Sequence, residues 1–294
     1  MAKFDAIANH IQKSTGQRLA NIRHAPISGG GINEAYHLSD DKQSYFVKLN
    51  APEREVMFEA EAKGLNELAA SRCMRIPNFI CSGKTSQHSY LVLEYIHCQS
   101  FNTTSSKLLG EQLAQLHLIE QPFFGWHCDN TIGSTKQFNS REDEWLPFFR
   151  QQRLQQQLTF ATKNGYGKQL QDKGDNLLEN LHIFFESYHP KPSLLHGDLW
   201  SGNAAVDPKG NPIIYDPACY YGDREADLAM TELFGGFSNA FYDSYNSSYP
   251  LDSGYKNRKL LYNLYHILNH LNIFGVSYLG QATNILDQLN AELA

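Results

Sequence analysis

Three residues in the second half of the chain, Asp198, Asn203 and Asp216, have the types and the spacing that phosphoryl transfer requires. That reaction needs a carboxylate to orient an attacking hydroxyl and accept its proton. It also needs oxygen ligands for the magnesium ions that neutralise charge on the phosphates. In kinases the base and an amide ligand lie five positions apart on one loop, and a second metal-binding carboxylate follows after a hairpin. Here Asp198 of His196-Gly197-Asp198 precedes Asn203 at that interval, and Asp216 ends the strand after the next turn. Any one of them alone reads equally well as a turn or helix-cap residue. Their joint spacing is what points to chemistry. His196, beside the base, is expected to orient the loop rather than bind metal.

The first hundred residues carry what such a site still lacks. Lys48 lies on a strand after a glycine-rich turn and is placed to reach the inner phosphates of ATP. Glu61, on the helix that follows, is the first choice for the carboxylate that fixes this lysine, with Glu59 and Glu55 as competitors. Gly29, Gly30 and Gly31 offer backbone N–H groups to phosphates, although glycine clusters also mark ordinary turns. Glu94, Tyr95 and Ile96 offer backbone groups to adenine, with a buried strand end as the competing reading. The glycine run matches neither the Gly-x-x-x-x-Gly-Lys-Ser/Thr loop nor the dinucleotide fingerprint. The sequence holds no His-Glu-x-x-His, no zinc spacing and no Gly-x-Ser-x-Gly elbow.

These residues need elements to hold them. Phe4, Ile7, Ala8 and Ile11 have the spacing of an amphipathic helix. Alternation through residues 34–38 and 44–49, around a polar turn, predicts a hairpin that carries Lys48. Residues 53–70 are expected to be helical, with Phe58, Ala62, Leu65 and Leu68 on one stripe. Tyr90 to Leu93 reads as a buried strand. Beyond it come helical stripes at Leu109/Leu113/Leu116, at Leu177 to Phe185, and at Leu260 to Leu271. Between the second and third stripes, Ala204-Ala205-Val206 and Ile213-Ile214-Tyr215 flank a Pro-Lys-Gly-Asn turn, which is a hairpin within a helical region. The expected organisation is α+β and two-lobed. Residues 1–97 form a small β-rich ATP-binding lobe, and residues 98–294 a larger, mainly helical catalytic and substrate-binding lobe.

The chain has 294 residues, 41% of them hydrophobic, and a net charge of -6 without a local Lys/Arg cluster. That balance argues against a nucleic-acid partner, which needs a concentrated basic surface. No stretch has the length and apolarity of a membrane span or a signal core, so a cytoplasmic protein without a membrane partner is expected. The five cysteines lack paired spacing and read as reduced thiols. Nothing in the sequence fixes an oligomeric state.

The stretches Leu195-His196-Gly197-Asp198-Leu199-Trp200-Ser201-Gly202-Asn203 and Asp216-Pro217-Ala218-Cys219-Tyr220-Tyr221-Gly222-Asp223-Arg224-Glu225-Ala226-Asp227 closely resemble the fructosamine kinase family. The likeness extends to Phe46-Val47-Lys48, to Met57 through Ala62 and to Phe124 through Gly133. The resemblance implies a protein-kinase-like fold related to aminoglycoside phosphotransferases. It also implies ATP- and Mg2+-dependent phosphorylation of a ketoamine, at the 3-hydroxyl of a ribulosamine, erythrulosamine or fructosamine. That ketoamine is either a small molecule or attached to protein. Carried over by position, Asp198 is the base, Asn203 and Asp216 hold magnesium, Lys48 binds phosphate, and Asp227 steadies the loop. Trp200 and Trp126 are candidates for the sugar pocket, and Asp223 and Glu225 for the substrate amine; packing for the tryptophans and helix capping for the acids are the alternatives. Gly197 and Pro217 depart from the protein-kinase pattern and point to a small-molecule kinase. The competing acceptors are an aminoglycoside, choline or another amino alcohol; an inactive kinase-shaped binding module is the remote alternative.

Overall fold

The computed structural model describes residues 2–28 and 31–293. Its small lobe is a five-stranded antiparallel sheet of β1 (Arg23–Ile27), β2 (Glu34–Ser39), β3 (Ser44–Asn50), β4 (Phe79–Lys84) and β5 (Ser89–Glu94), in the order β1-β2-β3-β5-β4. Side chains alternate across a strand, so each face has its own partner. Tyr45, Val47 and Leu49 of β3, with Tyr90 and Val92 of β5, pack on Phe4, Ile7 and Ile11 of α1 (Ala2–Thr15). Phe46 and Lys48 project to the opposite face. There Leu91 and Leu93 meet α2 (Glu55–Ser71), which follows a single 3-10 turn opened by Pro52.

Two strands of this sheet escaped the sequence reading. β1 is exposed over four of its five residues and contains Pro26, so it shows no buried alternation; it is an edge strand, where proline is tolerated. β4, the opposite edge, carries a register irregularity between Phe79 and Cys81, which breaks its period of two.

The second lobe is mainly helical. It contains α3 (Thr103–His117), α4 (Trp145–Phe149), α5 (Gln155–Lys163), α6 (Gly167–Glu179), α7 (Arg224–Leu233), α8 (Asn239–Ser248), α9 (Tyr255–Phe274) and α10 (Leu279–Ala291). The apolar stripe from Leu177 to Phe185 is not one helix: α6 ends at Glu179, and a 3-10 turn carries Leu181 to Phe185. Leu177, Leu181, Phe184 and Phe185 are buried all the same.

Set among these helices are short strand pairs. β6 (Asn130–Ile132) pairs with β7 (Thr135–Gln137). β8 (Ser193–Leu195) pairs with β11 (Tyr220–Gly222), and β9 (Ala204–Val206) with β10 (Pro212–Ile214). The last two pairs are nested in sequence. Residues 196–203 and 215–219 are therefore the two connections between one pair and the other, and they run side by side. Among the described residues no helix is long and apolar enough to cross a membrane, and all five cysteines are free.

Candidate active site

The two connections are bonded to each other. Ala218 N–H donates to His196 O at 2.9 Å, and Tyr215 N–H to Asn203 O at 3.0 Å. His196 links them again: its Nε2 lies 2.9 Å from Tyr215 O, and its Nδ1 accepts from Asp198 N–H at 3.2 Å. Those contacts place the ring proton on Nε2, and burial favours this neutral form. Beneath the loop, buried Asp227 accepts from the N–H groups of His196 at 2.7 Å and Gly197 at 2.8 Å. Burial opposes its charge, but bonds from His117 and the Gly197 backbone hold its carboxyl below the usual range.

Gly197 is required by this geometry. Its φ is +83°, and a Cβ there would lie 2.1 Å from Ala218 O. An arginine at that place could not be accommodated without separating the two connections. At the far end of the loop, Trp200 folds over Gly202, where a Cβ would lie 2.3 Å from the indole. Asn203 turns its amide nitrogen to Asp198, donating to the main-chain oxygen at 2.8 Å and to the carboxylate at 3.3 Å.

Lys48 closes the group from the small lobe. It is only 4% exposed, donates to Glu61 at 2.7 Å, and bonds Asp216 across the cleft. Of the three competing glutamates, Glu61 is the one that reaches it. Burial disfavours charge on Lys48, but the adjacent Asp216 and Glu61 carboxylates outweigh it and the lysine is held protonated. Burial pushes the Glu61 carboxyl up, and the nearby Asp216 charge adds to this against the pull of Lys48. Asp198 stands well above the ordinary carboxylate range, first through burial and then through repulsion by Asp216 and Asp227. Asp216 adopts a left-handed φ of 58° just before Pro217, a conformation that aspartate tolerates better than most residues.

Asp198, Asn203, Asp216, Lys48 and Glu61 all line one cavity of about 920 Å3 between the lobes. Ala35, Phe46, Leu93 and Ile213 give it an apolar slot, and Glu94, Tyr95 and Ile96 edge it. The Glu94 N–H already donates to Asn78 O at 2.9 Å, and its carboxylate is bonded to Arg75 and Asn78. Gly31 lies on the cavity wall; Gly29 and Gly30 fall outside the described residues.

The chain matches the fructosamine kinase family over residues 3–292. The chain belongs to that family. It is 46% identical to a Synechocystis protein described as a probable ketoamine kinase, over 98% of this chain and 97% of the relative. Protein-ribulosamine 3-kinase of Arabidopsis thaliana is 40% identical over 89% of this chain and 80% of its own length. The crystal structure of a Haemophilus somnus protein assigned as a fructosamine-3-kinase superposes with a TM-score of 0.88 at 31% identity, covering 96% of each chain. An aminoglycoside phosphotransferase covers 98% of this chain and 99% of its own at a TM-score of 0.64 and 14% identity, which establishes a shared fold. The architecture is thus the two-lobed, protein-kinase-like α+β fold, with a β-rich first lobe and a helical second one. As a kinase of this family, the protein depends on ATP.

For this fructosamine kinase relative, the expected substrate-amine residues need correction. Asp223 is fully buried: it caps α7 by accepting from Glu225 N–H at 3.0 Å, and its carboxylate also accepts from Tyr188 and Tyr262. Glu225 is equally buried and is held by two bonds from Arg258, at 2.7 and 3.0 Å. Neither lines the cavity. Trp126 does not either: it is 3% exposed and lies in the core, its backbone N–H bonded to Asn139 O. Trp200, 38% exposed, does stand on the cavity wall.

Several working residues went unnoticed in the sequence. His117 ends the Leu109/Leu113/Leu116 stripe, where a polar side chain on a buried face was the available signal. It contacts Asp227 at 3.3 Å and Tyr245 at 2.8 Å, and so supports the loop from below. Arg75 bonds Glu94 and, at 2.6 Å, Asp207 in the β9–β10 turn. No local pattern links those three positions.

Proposed function

We propose that this protein transfers the γ-phosphoryl group of ATP to the 3-hydroxyl of a ketoamine, a ribulosamine or erythrulosamine before a fructosamine, and so serves the repair of glycated amines. The observation that carries the reading is the convergence of five groups on one cavity: Lys48 tied to both Glu61 and Asp216, and Asp198 tied to Asn203. Support for the acceptor class comes from relatives described as ketoamine and protein-ribulosamine kinases.

Asp198 orients the acceptor hydroxyl and takes its proton. Its raised pKa makes it a stronger base than a solvated aspartate, and Asn203 fixes its direction. Lys48, charged and immobilised, stabilises the phosphate oxygens during transfer. The apolar slot of Ala35, Phe46, Leu93 and Ile213 accommodates adenine, while Trp200 walls the sugar.

Among the described residues no group of three or more His, Cys, Asp or Glu forms a metal cluster. Magnesium does not need one, because it takes one or two protein oxygens, water and substrate phosphates. The donor set fits. Asn203 commits its amide nitrogen to Asp198, which leaves its oxygen free, and the Asp216 side chain is 41% exposed. These two residues would hold the ion, which would neutralise charge growing on the phosphates. Free thiols and an ATP requirement support a reducing, ATP-supplied compartment such as the cytoplasm.

The test is an acceptor panel with labelled ATP. Ribulosamine and erythrulosamine should be phosphorylated with much higher kcat/KM than an aminoglycoside or choline. Preferential labelling of either of the latter would overturn the ketoamine reading.

A further inference from the structure

The cavity between the lobes is also lined by four rings that phosphoryl transfer does not use: Phe234 at the end of α7, His270 and Phe274 near the end of α9, and Tyr278 in the turn beyond it. The ring centroids of Phe234, Phe274 and Tyr278 lie 4.6, 5.4 and 5.1 Å from that of His270, so the four form one cluster. Phe274 is 48% exposed although it is large and apolar.

The acids of the cavity are engaged elsewhere. Among the described residues four carboxylates line it: Glu61 and Asp216 hold Lys48, Glu94 holds Arg75 and Asn78, and Asp198 serves the reacting hydroxyl. Asp223 and Glu225 are buried away from it. No carboxylate therefore remains for the ketoamine nitrogen, an amine that carries charge at neutral pH. Aromatic rings are the other means of holding a cation, because the ring face is negative.

Two further features suit a cation at these rings. His270 Nδ1 lies 2.8 Å from His266 O, a carbonyl that can only accept, so the ring proton sits on Nδ1. Burial favours this neutral form. Nε2 is then a lone-pair acceptor, and among the described residues it has no partner. The helix itself contributes a field: α9 runs for 20 residues, ends at Phe274 and has no basic residue in its last turn. The negative end of its dipole is therefore uncompensated beside the cluster.

We infer that the ketoamine nitrogen is bound as an ammonium at this cluster, its charge against the rings of Phe274 and Tyr278 and one N–H donated to His270 Nε2. The inference rests on the kinase reading above and deepens it: the amine side of the acceptor is recognised by aromatic rings and a neutral histidine, not by a carboxylate. Rings spaced this closely can each come within about 6 Å of one cation.

Two matched acceptors test it: the ribulosamine of a small alkylamine, and its neutral isostere with an ether oxygen in place of the nitrogen. The parent protein should phosphorylate the amine with a kcat/KM about tenfold above that of the ether, a difference within the range of a desolvated cation–π contact. Phe274→Leu keeps an apolar side chain and removes the ring; His270→Leu removes the accepting nitrogen as well. Each should bring the ratio towards one, chiefly through a higher KM for the amine, with the KM for ATP little changed. Both acceptors are read on the same sample, so a loss of folded protein cancels from the ratio. Equal kcat/KM for amine and ether in the parent, or a preference that survives both substitutions, overturns the cation site and leaves the kinase reading intact. Failure of the parent protein to phosphorylate the ribulosamine at all overturns both.

Discussion

Three carboxylates crowd the site, and the cost falls on Asp198. Asp216 and Asp227 lie close enough to repel it, and burial adds to the penalty, so its folded-state pKa is raised. The sign of the linkage follows. A raised carboxyl favours folding only when protonated; that contribution is complete below the unfolded value and is lost as pH rises through the folded one. At neutral pH, above the ordinary aspartate value, the group is therefore a burden on the ligand-free fold. Asp198→Asn should raise the melting temperature at pH 7, and the gain over the parent should vanish on acidification below about pH 4, the ordinary aspartate value. The same variant should lose turnover by about 10²- to 10⁴-fold, the usual worth of a general base, with ATP affinity little changed. Calorimetry across pH and steady-state kinetics read the two effects; a variant that melts lower at pH 7 contradicts the crowding. The convergence of the candidate group was legible in the sequence because a fixed local interval joins Asp198 to Asn203, and a tight hairpin brings Asp216 back. Asp223 and Glu225 were misplaced because their partners Tyr188, Tyr262 and Arg258 are remote in sequence.

Elements matter here chiefly through the two facing connections. Their spacing is set by Gly197, which allows Ala218 O to approach where a side chain would stand. Gly197→Ala incurs a left-handed penalty of about 1–2 kcal/mol for a non-glycine residue, before the clash is counted. Relief of the clash must move the loop, and a displacement of about 1 Å at the base lowers turnover about 100-fold. Turnover should therefore fall at least that far, with a lower melting temperature; an alanine variant with parental kcat would show that the loop tolerates separation. Strong local patterns made β3, β5, α2 and α9 readable in advance. β1 and β4 were not, since edge strands with a proline or a register slip lose the alternation that marks a strand. Their place in the sheet depends on neighbours that only the assembled fold provides.

At the scale of the molecule, a catalytic group divided between lobes works only if the lobes hold their relative position. The α2 face of the small lobe contributes Met57, Phe58, Leu65, Leu91 and Leu93 to the same apolar cluster as Leu109, Leu195 and Ile214 of the large lobe. Only the α1 side has a separate core. Two polar ties reinforce the seam: the Arg75 side chain spans Glu94 and Asp207, and the Arg75 main-chain oxygen accepts from Ile214 N–H at 3.3 Å. A shared core predicts shared unfolding, although chains of this length commonly unfold in stages. All three tryptophans, Trp126, Trp145 and Trp200, belong to the large lobe, so their fluorescence reports on that lobe alone, whereas far-ultraviolet dichroism reports on both. The two thermal transitions should coincide. If Mg-ATP bridges the lobes through Lys48 and Asp216, as proposed above, then at about 100 times its Kd it should stabilise the fold by about 2.7 kcal/mol and move both transitions together. A dichroism transition that precedes the fluorescence one, with only the later transition shifted by nucleotide, would mean that the lobes are coupled by ligand rather than by the core.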